Sequence, residues 1–237
     1  MMYRILPVIL FFAMSFQTNV KTDNQEPQEF LASETMPTFE EKVADIYSHL
    51  NANNLALPKL ESFSQALEGY YRMKESGKVT KEILTLVDFS LSSNVKRLWV
   101  IDLATNTVLY NTLVAHGRNT GNEFADSFSN AAESYKSSLG FYATGEVYNG
   151  KHGMSMKLDG LEPGVNSNAR NRAVVVHGAD YVSESFIKNN SRLGRSLGCP
   201  AIPVEMTGTI INTIKNKSCL FIYHPSRDKK QAVKLLS

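Results

Sequence analysis

The sequence predicts a mainly β domain, a β-sandwich of two packed sheets, preceded by a small α-helical segment. Three features predict it. Beyond residue 84 the chain breaks into short runs rich in β-branched and aromatic residues, separated by Gly, Ser and Asn turns. Before residue 80, two stretches instead repeat their apolar residues at helical spacing. Later in the chain only Val204 to Ile214 reads as a helix, with Pro203 beside its first turn.

Taken in order, Met1-Met2-Tyr3-Arg4 is a short positive start, and Ile5 to Phe16 is an apolar run of signal-peptide length. Polar Gln17-Thr18-Asn19 stops that run short of the roughly 20 residues a membrane-spanning helix needs. Residues 1–20 are therefore expected to be a signal peptide, and the remainder to be exported with no stable membrane span. Residues 21–37 are polar, acidic and aperiodic, the composition of a linker. Residues 38–83 form the helical accessory segment. Thr38-Phe39-Glu40-Glu41 has capping-box spacing, and Phe39, Val43, Ile46, Tyr47 and Leu50 share one helical face. Asn51 to Asn54 break that helix. Leu60, Phe63, Leu67, Tyr70 and Tyr71 mark a second, ended by Ser76-Gly77. The Tyr70-Tyr71 pair reads either as a sugar-stacking platform or as aromatic core at helical spacing.

Residues 84–226 carry the strands, with residues 227–237 as a tail. Leu98 to Leu103 and Thr107 to Ala115 flank the turn Ala104-Thr105-Asn106 and predict a hairpin. Gly- and Ser-rich loops occupy Gly117 to Gly140. Phe141 to Tyr148 and Gly153 to Leu158 are further strands. Ala173-Val174-Val175-Val176 has the pattern of a strand buried on both faces, and Cys219 to Tyr223 predicts a final one. Charge disfavours nucleic acid as a partner: Lys+Arg 25 against Asp+Glu 23 leaves +2, with no basic run of the kind nucleic-acid binders show.

The residues that suggest chemistry lie between Val174 and Pro203. His177 stands where a buried strand runs out, so the sheet can fix its backbone while its ring faces a cleft. Gly178 is expected to leave the imidazole unobstructed. Cys199 lies in the loop Gly194-Arg195-Ser196-Leu197-Gly198-Cys199-Pro200, whereas Cys219 sits in an apolar run as a structural cysteine does. A neighbouring imidazole would stabilise the thiolate. The N–H groups around Leu197, Gly198 and Cys199 could converge on an oxyanion. Cysteine, histidine and a glycine-lined loop are the minimum for acyl transfer. Two other readings stand beside this one: a Cys199–Cys219 disulfide, which an exported protein permits, and a zinc site drawn from His116, His152, His177 and Cys199.

His177-Gly178-Ala179, a loop of some twenty residues, and Ser196-Leu197-Gly198-Cys199 together resemble the L,D-transpeptidase catalytic domain, whose signature is a His-Gly element followed by Ser-His-Gly-Cys. Arg97 to Leu103 resembles the family's opening strand. His116-Gly117, Phe128-Ser129-Asn130, Ser137 to Gly140, Gly150 to Gly153 and Leu158 to Leu161 resemble a branch of it. The resemblance covers roughly residues 85–225. Leu197 replaces the usual histidine, and Pro200-Ala201 replaces an apolar-Arg pair, which bears on substrate choice; Arg195 could supply the missing cation. The resemblance implies a β-sandwich catalytic domain acting as a monomer in the periplasm or cell envelope, on peptidoglycan stem tetrapeptides, without metal or organic cofactor. Cys199 would be nucleophile and His177 its base, with Leu197 and Gly198 at the oxyanion and Gly178, Ser196, Arg195 and His152 lining the substrate site. The third, His-orienting group can be a backbone carbonyl in this family.

Overall fold

The computed structural model describes residues 37–227; the expected signal peptide, nearly all of the linker and all of the tail beyond Arg227 lie outside them. Thr38 caps helix α1 (Phe39–Ser48) through a complete capping box. The Glu41 N–H donates to Thr38 Oγ1 at 3.2 Å, and the Thr38 N–H donates to Glu41 Oε2 at 2.7 Å. Such a cap contributes about 1 kcal/mol. Helix α2 (Leu60–Glu75) ends at Ser76, where Gly77 takes a φ of +67° that a glycine adopts without strain.

Eight strands follow: β1 (Ile83–Asp88), β2 (Leu98–Asp102), β3 (Thr107–Thr112), β4 (Gly140–Gly150), β5 (Gly153–Gly160), β6 (Val175–Gly178), β7 (Ala201–Ile202) and β8 (Cys219–Tyr223). Helix α3 (Glu184–Asn190) connects β6 to β7, and α4 (Val204–Ile214) connects β7 to β8. The mainly β expectation holds, and the strand and helix positions lie close to those the pattern predicts. The two layers, however, come from one eight-stranded sheet in the order β3-β2-β1-β8-β4-β5-β6-β7. The sheet curls towards closure: just beyond β3, the Ala115 N–H donates to the Ala201 carbonyl of β7 at 2.8 Å, and Gly117 bridges Ser196. Edge backbone groups that two separate sheets would leave unpaired are thereby satisfied.

Alternation along each strand sorts side chains to opposite faces. Val87, Val100, Tyr142, Met156, Val176 and Ile222 enclose one core with Ile210, Ile211 and Ile214 of α4. Leu84, Leu86, Trp99, Phe141, Cys219 and Phe221 form the other, covered by Phe63, Leu67, Tyr70 and Met73 of α2 and Val43 of α1. Each fully buried large apolar side chain contributes about 1.5–3 kcal/mol. The N-terminal helices therefore belong to the same compact unit as the sheet. Tyr70 is core, with Tyr71 packed partly buried against it at 5.3 Å between ring centroids. Gly69 lets α2 lie against the sheet, since a Cβ there would stand 1.9 Å from the Phe141 ring.

Candidate active site

Strands β6 and β7 run parallel with His177 opposite Ala201 and Gly178 opposite Ile202. Cys199 lies two residues before Ala201, so the register sets it beside Val175, two residues before His177 on the same face of β6. The contacts agree. The Val175 N–H reaches Cys199 Sγ at 3.5 Å, and the thiol faces the Ala173 carbonyl at 3.7 Å. Cys199 and His177 are thus brought to one end of two neighbouring strands.

His177 is 3% exposed. Its Nδ1 lies 2.9 Å from the Gly178 carbonyl. A carbonyl only accepts, so Nδ1 carries the proton and Nε2 keeps its lone pair. The orienting group that no Asp or Asn in the sequence supplies is therefore a backbone carbonyl. The His152 ring stacks on the His177 ring, with centroids 4.5 Å apart and planes at 23°. Burial first, and then the charges of His152 and Lys151, hold the His177 imidazole below its ordinary value, against the raising effect of Gly178. Burial pushes the Cys199 thiol up; the Val175 N–H, Arg172 and Lys151 work in the opposite direction. Both shifts disfavour a thiolate–imidazolium pair, and the groups that favour the thiolate are the Val175 N–H, Arg172 and Lys151, not the imidazole expected from the sequence.

Ser196 is 4% exposed and fastens the loop. Its hydroxyl donates to the Cys199 carbonyl at 2.6 Å and accepts the Gly198 N–H at 3.0 Å. Ser196 therefore braces the Cys199 backbone, and the Gly198 N–H is already engaged. Among the described residues the Leu197 and Cys199 N–H groups meet no backbone or side-chain acceptor, so they remain available to an oxyanion. Gly198 is required by its φ of +122° and by the Lys136 carbonyl, 2.9 Å from where a Cβ would stand. Gly178 also admits α4: a Cβ there would lie 2.3 Å from Thr207 Oγ1. Leu197 is 51% exposed at the loop tip.

Arg195 turns to the loop after Gly117, where its Nη1 donates to the Arg118 and Gly121 carbonyls and to Asn122 Oδ1 at 2.9–3.2 Å. Of the two cations whose charge acts on Cys199, Arg172 acts more strongly than Lys151, and sequence reading missed it. Its guanidinium donates to the Ser129 and Lys136 carbonyls and to Ser134 and Ser138 hydroxyls, at 2.6–3.1 Å. Those partners lie 34 to 43 positions earlier in the chain, and no local pattern announces them. Burial raises the Tyr181 phenol to about 12.

The disulfide reading fails. Both cysteines are free, and Cys219 is buried beneath α2 with Sγ 3.6 Å from Met73 Sδ. His116 is buried too, its Nδ1 2.8 Å from an Arg97 Nη2. Among the described residues no group of three or more His, Cys, Asp or Glu side chains could hold a metal ion. No helix among them is long and apolar enough to cross a membrane.

A half-buried thiol in the loop before β7 and an oriented imidazole on β6 thus lie at one end of a curled, mainly β sheet. A model of the L,D-transpeptidase catalytic domain matches residues 56–223, and the chain belongs to that family. The match begins inside the helical segment, taking in α2. A search of curated proteins gives no match. Among solved structures, the chain is similar to an L,D-transpeptidase from Mycobacterium smegmatis at 10% identity, covering 60% of this chain and 59% of that one, with a TM-score of 0.38. It is also similar to the helical cell shape determining protein Pgp2 from Campylobacter jejuni at 13% identity, covering 69% and 58%, with a TM-score of 0.38. The chain thus spans under two thirds of the length of either structure.

Proposed function

We propose that this protein is a peptidoglycan L,D-transpeptidase of the cell envelope, exported by its N-terminal segment, in which Cys199 is the nucleophile and His177 the base. The observation that supports the reading is the pairing of β6 with β7, which brings Cys199, its thiol against Val175 and Ala173, to the same end of β6 as His177, whose Nδ1 faces the Gly178 carbonyl. His177 Nε2 takes the thiol proton as Sγ attacks the carbonyl of the third residue of a stem tetrapeptide. The Leu197 and Cys199 N–H groups face the oxyanion. His177 then returns the proton to the departing terminal D-alanine amine, leaving a thioester on Cys199. An amine from a second stem attacks the thioester, giving the cross-link and restoring the thiol. Leu197 and Pro200, where the family signature differs, support the reading that the chain belongs to a branch marked Ser-x-Gly-Cys-Pro.

Incubation with tetrapeptide muropeptides tests this. The protein yields cross-linked dimers and free D-alanine, and Cys199→Ala yields neither; turnover retained in Cys199→Ala overturns the assignment. Shortened monomers without dimers, again lost in Cys199→Ala, would mean that water takes the acyl group and the enzyme is an L,D-carboxypeptidase. Intact mass after carbapenem treatment gives one adduct, absent from Cys199→Ala.

A further inference from the structure

The turn between β4 and β5 lies over the candidate site and carries a cation that nothing inside the protein uses. Gly150 pairs with Gly153 as the last rung of the ladder, so Lys151 and His152 are the two turn residues, with Gly153 at a φ of +72°. The stack of exposed His152 on buried His177 fixes that turn above the imidazole. Lys151 is exposed and makes no hydrogen bond or ion pair with another described residue. The neighbouring cations are spent. Lys157 pairs with Glu146, and Arg170 with Glu146 and Asp159. Arg172 and Arg195 are held by loop carbonyls and hydroxyls.

The stretch that builds the site is also net positive: residues 147–204 contain Lys151, Lys157, Arg170, Arg172, Lys188, Arg192 and Arg195 against Asp159, Glu162, Asp180 and Glu184. A net positive surround concentrates anionic ligands. The positive charge of Lys151 acts on both members of the pair, opposing protonation of His177 and favouring the Cys199 thiolate.

We infer that Lys151 is a specificity-determining residue that holds the terminal carboxylate of the acyl donor over Cys199, with His152 anchoring the turn that presents it. The inference rests on the proposed reading of the site and names the contact that selects its donor. It replaces the expectation that Arg195 supplies this cation. Arg118 and Lys188 are further cations whose side chains have no partner among the described residues; the Arg118 backbone N–H donates to the Ser196 carbonyl.

Two alkylating agents of the same size test the contact without any assumption about turnover. Iodoacetate carries a carboxylate and iodoacetamide does not, and both modify the thiolate, so the ratio of their rates at Cys199 cancels changes in ionisation. That ratio falls about threefold or more in Lys151→Met at low ionic strength, is largely kept in Lys151→Arg, and the difference shrinks with added salt. Peptide mass spectrometry assigns the label to Cys199. An unchanged ratio in Lys151→Met, or a loss appearing in Arg118→Met instead, overturns the inference. With muropeptides, Lys151→Met raises KM for a donor ending in a free carboxylate and leaves KM for the corresponding amide unchanged; an equal rise for both also overturns it. Failure of the unaltered protein to process any muropeptide would refute the transpeptidase reading, while the alkylation ratio would still decide the role of Lys151.

Discussion

The resting ionisation of the Cys199–His177 pair can be tested by pH alone. Burial raises the thiol and lowers the imidazole, so both shifts disfavour the thiolate–imidazolium form. An ordinary thiol is about 3% ionised at pH 7, and one pushed upward is less so. Alkylation of Cys199 by iodoacetamide should therefore rise about tenfold per pH unit from pH 6 to pH 8, with no plateau in that range. His177→Gln leaves that slope intact, because in the free protein the imidazole does not create the thiolate; it removes turnover, because in catalysis the imidazole must accept the proton. The assay is the rate of mass increase at Cys199 across pH, and Cys219 is silent because it is fully buried. A rate already level from pH 5 to pH 8, lost in His177→Gln, would reveal a preformed ion pair and refute this account of the site.

Two further substitutions probe the support around the pair. Ser196→Ala leaves the Gly198 N–H and Cys199 carbonyl without their shared partner, a loss of about 1–3 kcal/mol for a buried group. The loop relaxes, and kcat/KM for muropeptides should fall about 10- to 100-fold; unchanged turnover would mean that the hydroxyl does not set the nucleophile's position. Gly69→Ala would gain about 1 kcal/mol in helix propensity, but it drives a methyl group into the Phe141 ring. Overpacking costs about 1–3 kcal/mol and more where the ring cannot yield, so thermal melting should show a lower Tm; a raised Tm would show that α2 does not press on the sheet there.

Sequence by itself determined a good deal of this protein. The 2- and 3.6-residue periodicities, the Thr38 cap and the Gly77 stop are local properties, and they located α1, α2, α4 and most strands. Cys199 and His177 were legible because their neighbours form family motifs. Short elements were not: α3 and the two-residue β7 carry too little pattern to stand out from loop. What only the tertiary structure decided are the relations between distant segments. One curled sheet replaces two, because pairing of Ala115 with Ala201 joins backbone 86 positions apart. Arg172 is held by the Lys136 carbonyl, the Gly178 carbonyl orients His177, and His152 lies on the imidazole. A side chain's partners depend on strand register and on the depth at which the fold buries it. Neither is written in the residues adjacent to it, so the burial that raises the thiol and lowers the imidazole comes from the fold and not from the chain order.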